Sequence, residues 1–385
     1  MNKSTIEIGE LMLRNNGSIN PKKYEDEVFE LYSIPAFDKG APEVLAGKEI
    51  GSSKQLVQEN DVMISKIVPH IRRASIVGKN NGLRQIASGE WIVFRDPRFH
   101  PPYLKHILQS DRFNADFMAT VSGVGGSLVR ARPAVAAKIE IPLPPLPEQT
   151  RIAAILDQAD KIRQKRRRAA ALADEFLRSV FLEMFGDPVS NPKGWEVRTL
   201  GEIASIQIGP FGTQLHKEDY IEDGIPLINP MHINQGTIIP NFAYSISLEK
   251  HAELPEYHLK AGDIIMGRRG EMGRCAVVGN TEEGWLCGTG SLFIRPKIDH
   301  FSEYLQYVLS NSSMVEYFER QSLGATMPNL NKGIVSNTTI PLPLREDLVK
   351  FSKIINRFSH FKKKILHAEN NNLFQSLSQQ FFNPI

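Results

Sequence analysis

The stretch PLPPLPEQTRIAAILDQADKIRQKRRRAAALADEFLRSVFLEMF, residues 142–185, decides the architecture. From Glu148 to Phe185 it holds neither glycine nor proline. Apolar residues recur at Ile152, Ile155, Ala159 and Ile162, then at Ala169, Ala173, Phe176 and Val180. Alternating steps of three and four place these side chains on one seam of a helix at heptad spacing. Pro147 suits the first turn, where its missing N–H costs nothing, and Gly186-Asp187-Pro188 is a stop. At 1.5 Å per residue, about 38 residues span roughly 57 Å, far more than an average globular helix. Such a helix needs a partner. The chain supplies one: Leu348, Phe351, Ile355, Phe358 and Ile365 keep the same spacing. Asn370-Asn371-Asn372 weakens it, and Leu373, Leu377 and Phe381 resume one residue out of register. The expectation is two long antiparallel coiled-coil helices, with two globules related by an approximate two-fold axis. Two separate helical hairpins, each folding back on its own domain, are the alternative.

Outside the helices the chain resembles itself about 200 residues further on. Asp61-Val-Met-Ile-Ser-Lys66 matches Asp263-Ile-Ile-Met-Gly-Arg268, and Arg73-Ala-Ser-Ile-Val-Gly78 matches Arg274-Cys-Ala-Val-Val-Gly279. Tyr103, Leu104 and Leu108 match Tyr304, Leu305 and Leu309, and Ile141-Pro-Leu-Pro144 matches Ile340-Pro-Leu-Pro343. The common order and slowly drifting offset mark a tandem duplication. The N-terminal parts match poorly, apart from Gly9-Glu10 against Gly201-Glu202. In the second copy, apolar runs bounded by Gly, Pro and Asn read as strands at 224–230, 262–267, 274–279 and 290–296. Helices follow at 102–109 and 301–310, then a Gly-containing loop and a closing strand that runs into IPLP. This predicts an α/β (α+β) fold of two similar mixed domains, residues 1–141 and 191–340. Each is followed by a spacer with a long helix, residues 142–190 and 341–385.

The 385 residues are 23% charged and 41% hydrophobic, which excludes a disordered or fibrous chain. Lys plus Arg is 46 against 43 for Asp plus Glu, so any basic surface must be local. Cys275 and Cys287 form no CxxC pair and have no His at zinc-site spacing, which points away from disulfides and metals and toward a reducing cytosol. No apolar run approaches the ~20 residues that cross a bilayer, and no secretory leader is visible; the expectation is a cytoplasmic protein with no membrane contact. GxxxxGK[ST] and HExxH are absent. Gly123-Val-Gly-Gly126 lacks the strand and helix of a dinucleotide fingerprint. Asn229-Pro230-Met231 lacks the second proline and the aromatic of an amino-methyltransferase tetrad. No catalytic residue is assigned.

Binding determinants are better supplied. Gly267-Arg-Arg-Gly-Glu-Met-Gly-Arg274 places Arg268, Arg269 and Arg274 on a Gly-punctuated loop, and the same position of the first copy holds Lys66, His70, Arg72 and Arg73. Arginine can grip phosphate or read guanine O6 and N7 bidentately, so these residues are candidates for DNA contact, against the reading of a solvated turn. A second candidate precedes the closing strand: Arg130 and Arg132 in Ser127–Arg132, and Asn329, Asn331 and Lys332 in Met327–Lys332. Gln214 and Lys217, in Gly209-Pro-Phe-Gly-Thr-Gln-Leu-His-Lys217, form a third. The run Lys161–Arg168 is either a solvated helix face or a stretch that passes near phosphates.

The order of domain, IPLPPLPEQTRIAAILDQAD helix, Gly-Asp-Pro break and fresh start at Gly194-Trp-Glu-Val-Arg-Thr-Leu-Gly-Glu202 resembles the DNA specificity subunit of type I restriction–modification systems. The resemblance covers essentially the whole chain and is sharpest at Pro142–Gln149. The second spacer, Pro341–Asp347, lacks the Glu-Gln pair, and the first domain lacks the Trp-x-x-x-x-Leu-Gly-Glu start. The resemblance implies two target-recognition domains that read the halves of a split double-stranded DNA sequence, with the helices as a ruler. It also implies DNA adenine methyltransferase subunits and translocating restriction endonuclease subunits as partners. S-adenosylmethionine, ATP and magnesium would belong to those partners, with no cofactor on this chain. A self-contained DNA-modifying enzyme and a coiled-coil interaction scaffold are the competing readings.

Overall fold

The computed structural model describes residues 5–14, 17–122, 129–211, 214–322, 329–370 and 373–382. These form two compact units: residues 1–168 with 366–385, and residues 169–365.

In the first unit, strand Val62–Ser65 lies between Ala74–Ile76 and Trp91–Phe94, all antiparallel. Val62 and Ile64 face one core, shared with helices Pro101–Gln109 and Asp111–Ala119, while Met63, Trp91 and Val93 face a second, shared with Tyr32. Coverage on both faces is why this strand reads as an unbroken apolar run. The second unit repeats the plan. Ile264 and Met266 face one core and Ile265 the other, and Ile264–Gly267 is flanked by Cys275–Val277 and Ser291–Pro296. Each unit adds a mixed sheet containing one parallel pair, Val28–Tyr32 with Arg84–Ala87 and Ile225–Ile228 with Leu286–Cys287.

The duplication extends to buried polar atoms. Asp61 and Asp263 are each 1% exposed. Asp61 accepts from Gln58 N (2.9 Å) and pairs bidentately with Arg95 (2.6 and 2.6 Å); Asp263 accepts from Lys260 N (2.8 Å) and pairs with Arg295 (2.7 and 2.6 Å). The Tyr103 hydroxyl donates to Pro142 O (3.0 Å) and that of Tyr304 to Pro341 O (2.9 Å), which fixes each domain to the start of its spacer. Each domain also closes on its own beginning, Thr5–Glu7 pairing with Glu140–Pro142 and Glu196–Thr199 with Thr339–Leu342. Gly9 packs so closely there that a Cβ would sit 2.7 Å from Ala137 O, which accounts for the glycine at that position.

Residues Leu146–Phe185 form one helix of 40 residues, and Arg345–Asn370 and Leu373–Phe382 form two more. Within the first unit the Arg151 guanidinium lies 5.8 Å from the Phe381 ring and that of Arg163 4.9 Å from the Phe374 ring, so the paired segments run antiparallel. Within the second, Phe176 meets Phe358 at 5.0 Å and Phe185 meets Phe351 at 5.2 Å, again antiparallel.

The seam of the first helix differs by one residue from the expected one. Ile152 and Ala159 are buried as expected and Val180 is half-buried, but Ile155 is only half-buried, and Ile162 (41% exposed) and Phe176 (48%) lie on its flank. Ala173 is buried as expected too, and the further buried positions include Leu156, Ala170, Leu177 and Phe181, with Arg163 and Arg166 half-buried in line with them. An arginine can share such a seam with an aromatic ring, and the Arg163 guanidinium does so over Phe374 while pairing with Asp160. A search for apolar residues alone therefore slips one place. In the second helix Leu348, Phe351 and Ile355 are buried and Phe358 is half-buried; the side chain of Ile365 lies outside the described residues.

The Glu-Gln difference between the spacers also has a physical basis. Gln149 is fully buried, accepts from His100 N (2.8 Å) and donates to Arg98 O (2.9 Å) and Pro144 O (2.8 Å). The corresponding residue of the second copy is Leu348, 3% exposed in an apolar core.

Two stability predictions follow from this packing. Gln149→Ala strands three part-buried backbone groups and is expected to cost about 2 kcal/mol in denaturant unfolding. Phe382→Ala, which empties a site against Tyr103 (ring centroids 5.7 Å), is expected to cost about 3 kcal/mol, measured by the same titration.

Candidate nucleic-acid interface

In each unit the loop after the central strand is closed by one bond at its base: Ser65 N donates to Arg73 O (2.9 Å), and Gly267 N to Arg274 O (2.9 Å). The first residue of each loop is then gripped on both sides. Lys66 N donates to Glu90 O (3.0 Å) while Lys66 O accepts from Ala131 N (2.8 Å). Arg268 N donates to Gly290 O (3.1 Å) while Arg268 O accepts from Leu330 N (2.9 Å). Isolated β-bridges join Ile67 to Arg130 and Arg269 to Asn329. Two stretches that stood about 60 residues apart as separate candidates are thus one clamped site, and the clamp is the same in both units. Gln214 is not drawn into it and instead accepts from the Tyr257 hydroxyl (2.9 Å).

The loops also share two left-handed turns. In the second unit both fall on glycine, Gly270 (φ 78°) and Gly273 (φ 74°); in the first they fall on Val68 (φ 48°) and Arg72 (φ 55°). A β-branched residue rarely adopts this conformation, and each such position costs on the order of 1–3 kcal/mol. Arg72 is held there by bonds to Asp111 Oδ1 (2.5 Å) and Gln109 O (3.4 Å).

The candidate residues divide by what they already touch. Arg73 is bidentate to Asp38 (2.7 and 2.8 Å), and that hydrogen bonding holds the Asp38 carboxyl below its usual range. Arg130 pairs with Glu90 (3.3 Å) and Arg132 donates to Thr120 O (3.0 Å). Arg274 donates to Pro230 O (3.3 Å) and pairs with Glu271. Arg268 is 6% exposed and donates to Thr289 O (3.2 Å) and Asn329 Oδ1 (3.3 Å); burial lowers its pKa from the ordinary arginine value. It is a pin of the fold and not a free guanidinium. Asn331 caps helix Lys332–Asn337 by accepting from Ile334 N (2.9 Å). Lys66, His70, Lys217, Arg269 and Lys332 have no side-chain partner among the described residues. All are exposed except Lys66, which is half-buried.

Sequence reasoning missed the carboxylates that occupy these arginines, because Asp38, Glu90 and Asp111 come from other elements. It also missed the turn at Asn229–Pro230, where Asn229 Oδ1 accepts from Gly290 N (3.1 Å) and Gly267, Gly288 and Gly290 leave no room for a Cβ at ordinary distance. Of the basic helix run, Lys161, Lys165, Arg167 and Arg168 are exposed. Among the described residues no group of three His, Cys, Asp or Glu could hold a metal ion, and no helix is long and apolar enough to cross a membrane. Cys275 and Cys287 are buried, which pushes the Cys275 thiol up to about 12 and raises that of Cys287 too, so neither is poised as a nucleophile.

The chain matches known proteins over nearly its full length. The family model for the type I restriction modification DNA specificity domain matches twice, at residues 2–172 and 192–375. The specificity subunit of the type I restriction enzyme MjaIX of Methanocaldococcus jannaschii is 24% identical over 294 residues, 72% of this chain and 65% of that protein. The chain thus spans just under two thirds of the length of this curated relative. Two solved structures share the fold. One, from work on complex assembly and conformational transition of the type I R-M system, is 20% identical with a TM-score of 0.55, covering 98% of this chain and 96% of that one. The other, the type I restriction-modification S subunit from M. genitalium, is 15% identical with a TM-score of 0.56, covering 99% and 96%. With the family's domain present in both halves, on a scaffold whose buried ion pairs and loop clamps repeat atom for atom, the chain belongs to the type I restriction modification DNA specificity domain family.

Proposed function

We propose that this chain is the DNA-reading subunit of a type I restriction–modification complex, in which each unit recognises one half of a split, asymmetric double-stranded target. The observation that carries this reading is the clamp: the same backbone bonds present a basic, Gly- or turn-punctuated loop from both units. A backbone-held loop keeps its position while its side chains differ, which suits two readers of unlike half-sites. In this reading the chain itself performs no chemistry. Lys66, Lys217 and Lys332 are point charges for phosphates, which fix register on the duplex, and the long helices set the spacing of the half-sites and receive the methyltransferase subunits. The restriction subunits join the same assembly. S-adenosylmethionine, ATP and magnesium act on those partners, in the cytoplasm where the DNA lies.

The test is a mobility-shift titration of the full chain with its methyltransferase subunit on duplex DNA. The expected result is preference for one split site. Replacing Lys66, Lys217 and Lys332 together with alanine should weaken binding to all sequences and make the plot of log affinity against log salt shallower by about 0.9 per lost phosphate contact. A coiled-coil scaffold would instead hold the partner and bind DNA with no sequence preference and an unchanged salt slope, and that outcome would contradict the proposal.

A further inference from the structure

The clamp is shared, but what the two loops offer at their tips is chemically different. Counting from the closing bonds, Ile67 corresponds to Arg269 and Ile71 to Met272. Met272 is turned into the core of its unit, 5% exposed, whereas Ile71 is 49% exposed beside an exposed His70. The loop's own guanidiniums are also withdrawn, Arg72 to Asp111 and Arg73 to Asp38, so its tip carries an apolar side chain and an imidazole with no free arginine. Val68 and Arg72 hold the tip in left-handed turns where the second loop uses glycine. In the second loop the polarity is reversed. Arg268 is locked into the fold, Arg274 is occupied by Glu271 and Pro230 O, and Arg269 is left exposed with no partner among the described residues.

Major-groove chemistry gives these tips different letters. A guanidinium with five donors matches guanine O6 and N7, while an exposed branched aliphatic side chain without donors has one complementary feature there, the 5-methyl group of thymine. We infer that Ile71 makes the first unit select a T·A pair through the thymine methyl group and that Arg269 makes the second select a G·C pair through guanine. This rests on the reading of the chain as a two-domain DNA reader and adds which base each clamped loop specifies.

The experiment is selection of binding sites from a randomised duplex library by the full chain with its methyltransferase subunit, using wild type, Ile71→Ser, Arg269→Ala and Arg269→Lys. Wild type should return a split consensus. Ile71→Ser should make one thymine position of one half degenerate and leave the other half untouched. Arg269→Ala should lose roughly 5- to 150-fold discrimination at one guanine in the other half, and lysine, which cannot form the bidentate pair, should not restore it. A second measurement leaves the protein unchanged: replacing the assigned thymine by uracil should weaken wild type about fourfold, the worth of one buried methyl group, and leave Ile71→Ser unaffected. If the consensus keeps every letter in the variants, if uracil has no effect on wild type, or if lysine fully replaces Arg269, the assignment of bases is wrong while a split consensus leaves the two-reader function standing. If wild type returns no consensus at all, the reading beneath it fails too.

Discussion

The feature on which the rest depends is a pair of backbone hydrogen bonds around one residue in each unit, Lys66 in the first and Arg268 in the second. Each bond contributes only about 0.5–1.5 kcal/mol net, yet together they fasten a loop to two segments distant in the chain. Because the donors and acceptors are main-chain groups, both bonds form whether the residue between them is lysine or arginine. The scaffold can therefore stay constant while the exposed tip changes from His70 and Ile71 to Arg269. That separation of a constant support from a variable tip is the central physical property of the scaffold.

Beneath the loops, the invariant part of each unit is polar as well as apolar. Asp61 with Arg95, and Asp263 with Arg295, sit at the start of the central strand, where the carboxylate also accepts from a backbone N–H three residues upstream. A buried carboxylate is tolerated only when its charge and lone pairs are met, and both units meet them in the same way. The tyrosines that bond Pro142 O and Pro341 O carry the same order into the spacers, so each domain is fixed to its helix by a directional bond as well as by packing. The centre of the first helix's seam carries arginines, with half-buried Arg163 and Arg166 in line with small buried alanines.

Much of the fold was legible in the sequence because duplicated constraints leave duplicated letters. Asp61 and Asp263, and Tyr103 and Tyr304, recur since each pair makes the same bond. At Gly9 a backbone passes too close for a side chain, and at Gly201 the corresponding approach of Ser336 is tight. The helix seam was legible only to within one residue, because Arg163 occupies a position where an apolar search expects Ile162. The basic loops were recognisable as candidates, but their union into one site was not, since hydrogen bonds between main-chain atoms about 60 residues apart leave no trace in residue type. For the same reason the sequence could not separate Arg269, which has no side-chain partner among the described residues, from Arg268, which is a buried pin. The acids that neutralise Arg72, Arg73 and Arg130 reach them from elsewhere in the fold.

The central claim is that both clamped loops face DNA, one from each unit. Hydrogen–deuterium exchange of the full complex with and without its target duplex tests this most directly. The account predicts slowed amide exchange on DNA binding within residues 66–73 and within residues 268–274. Protection confined to the helix run 161–168, with both loops exchanging as in the free protein, would contradict it.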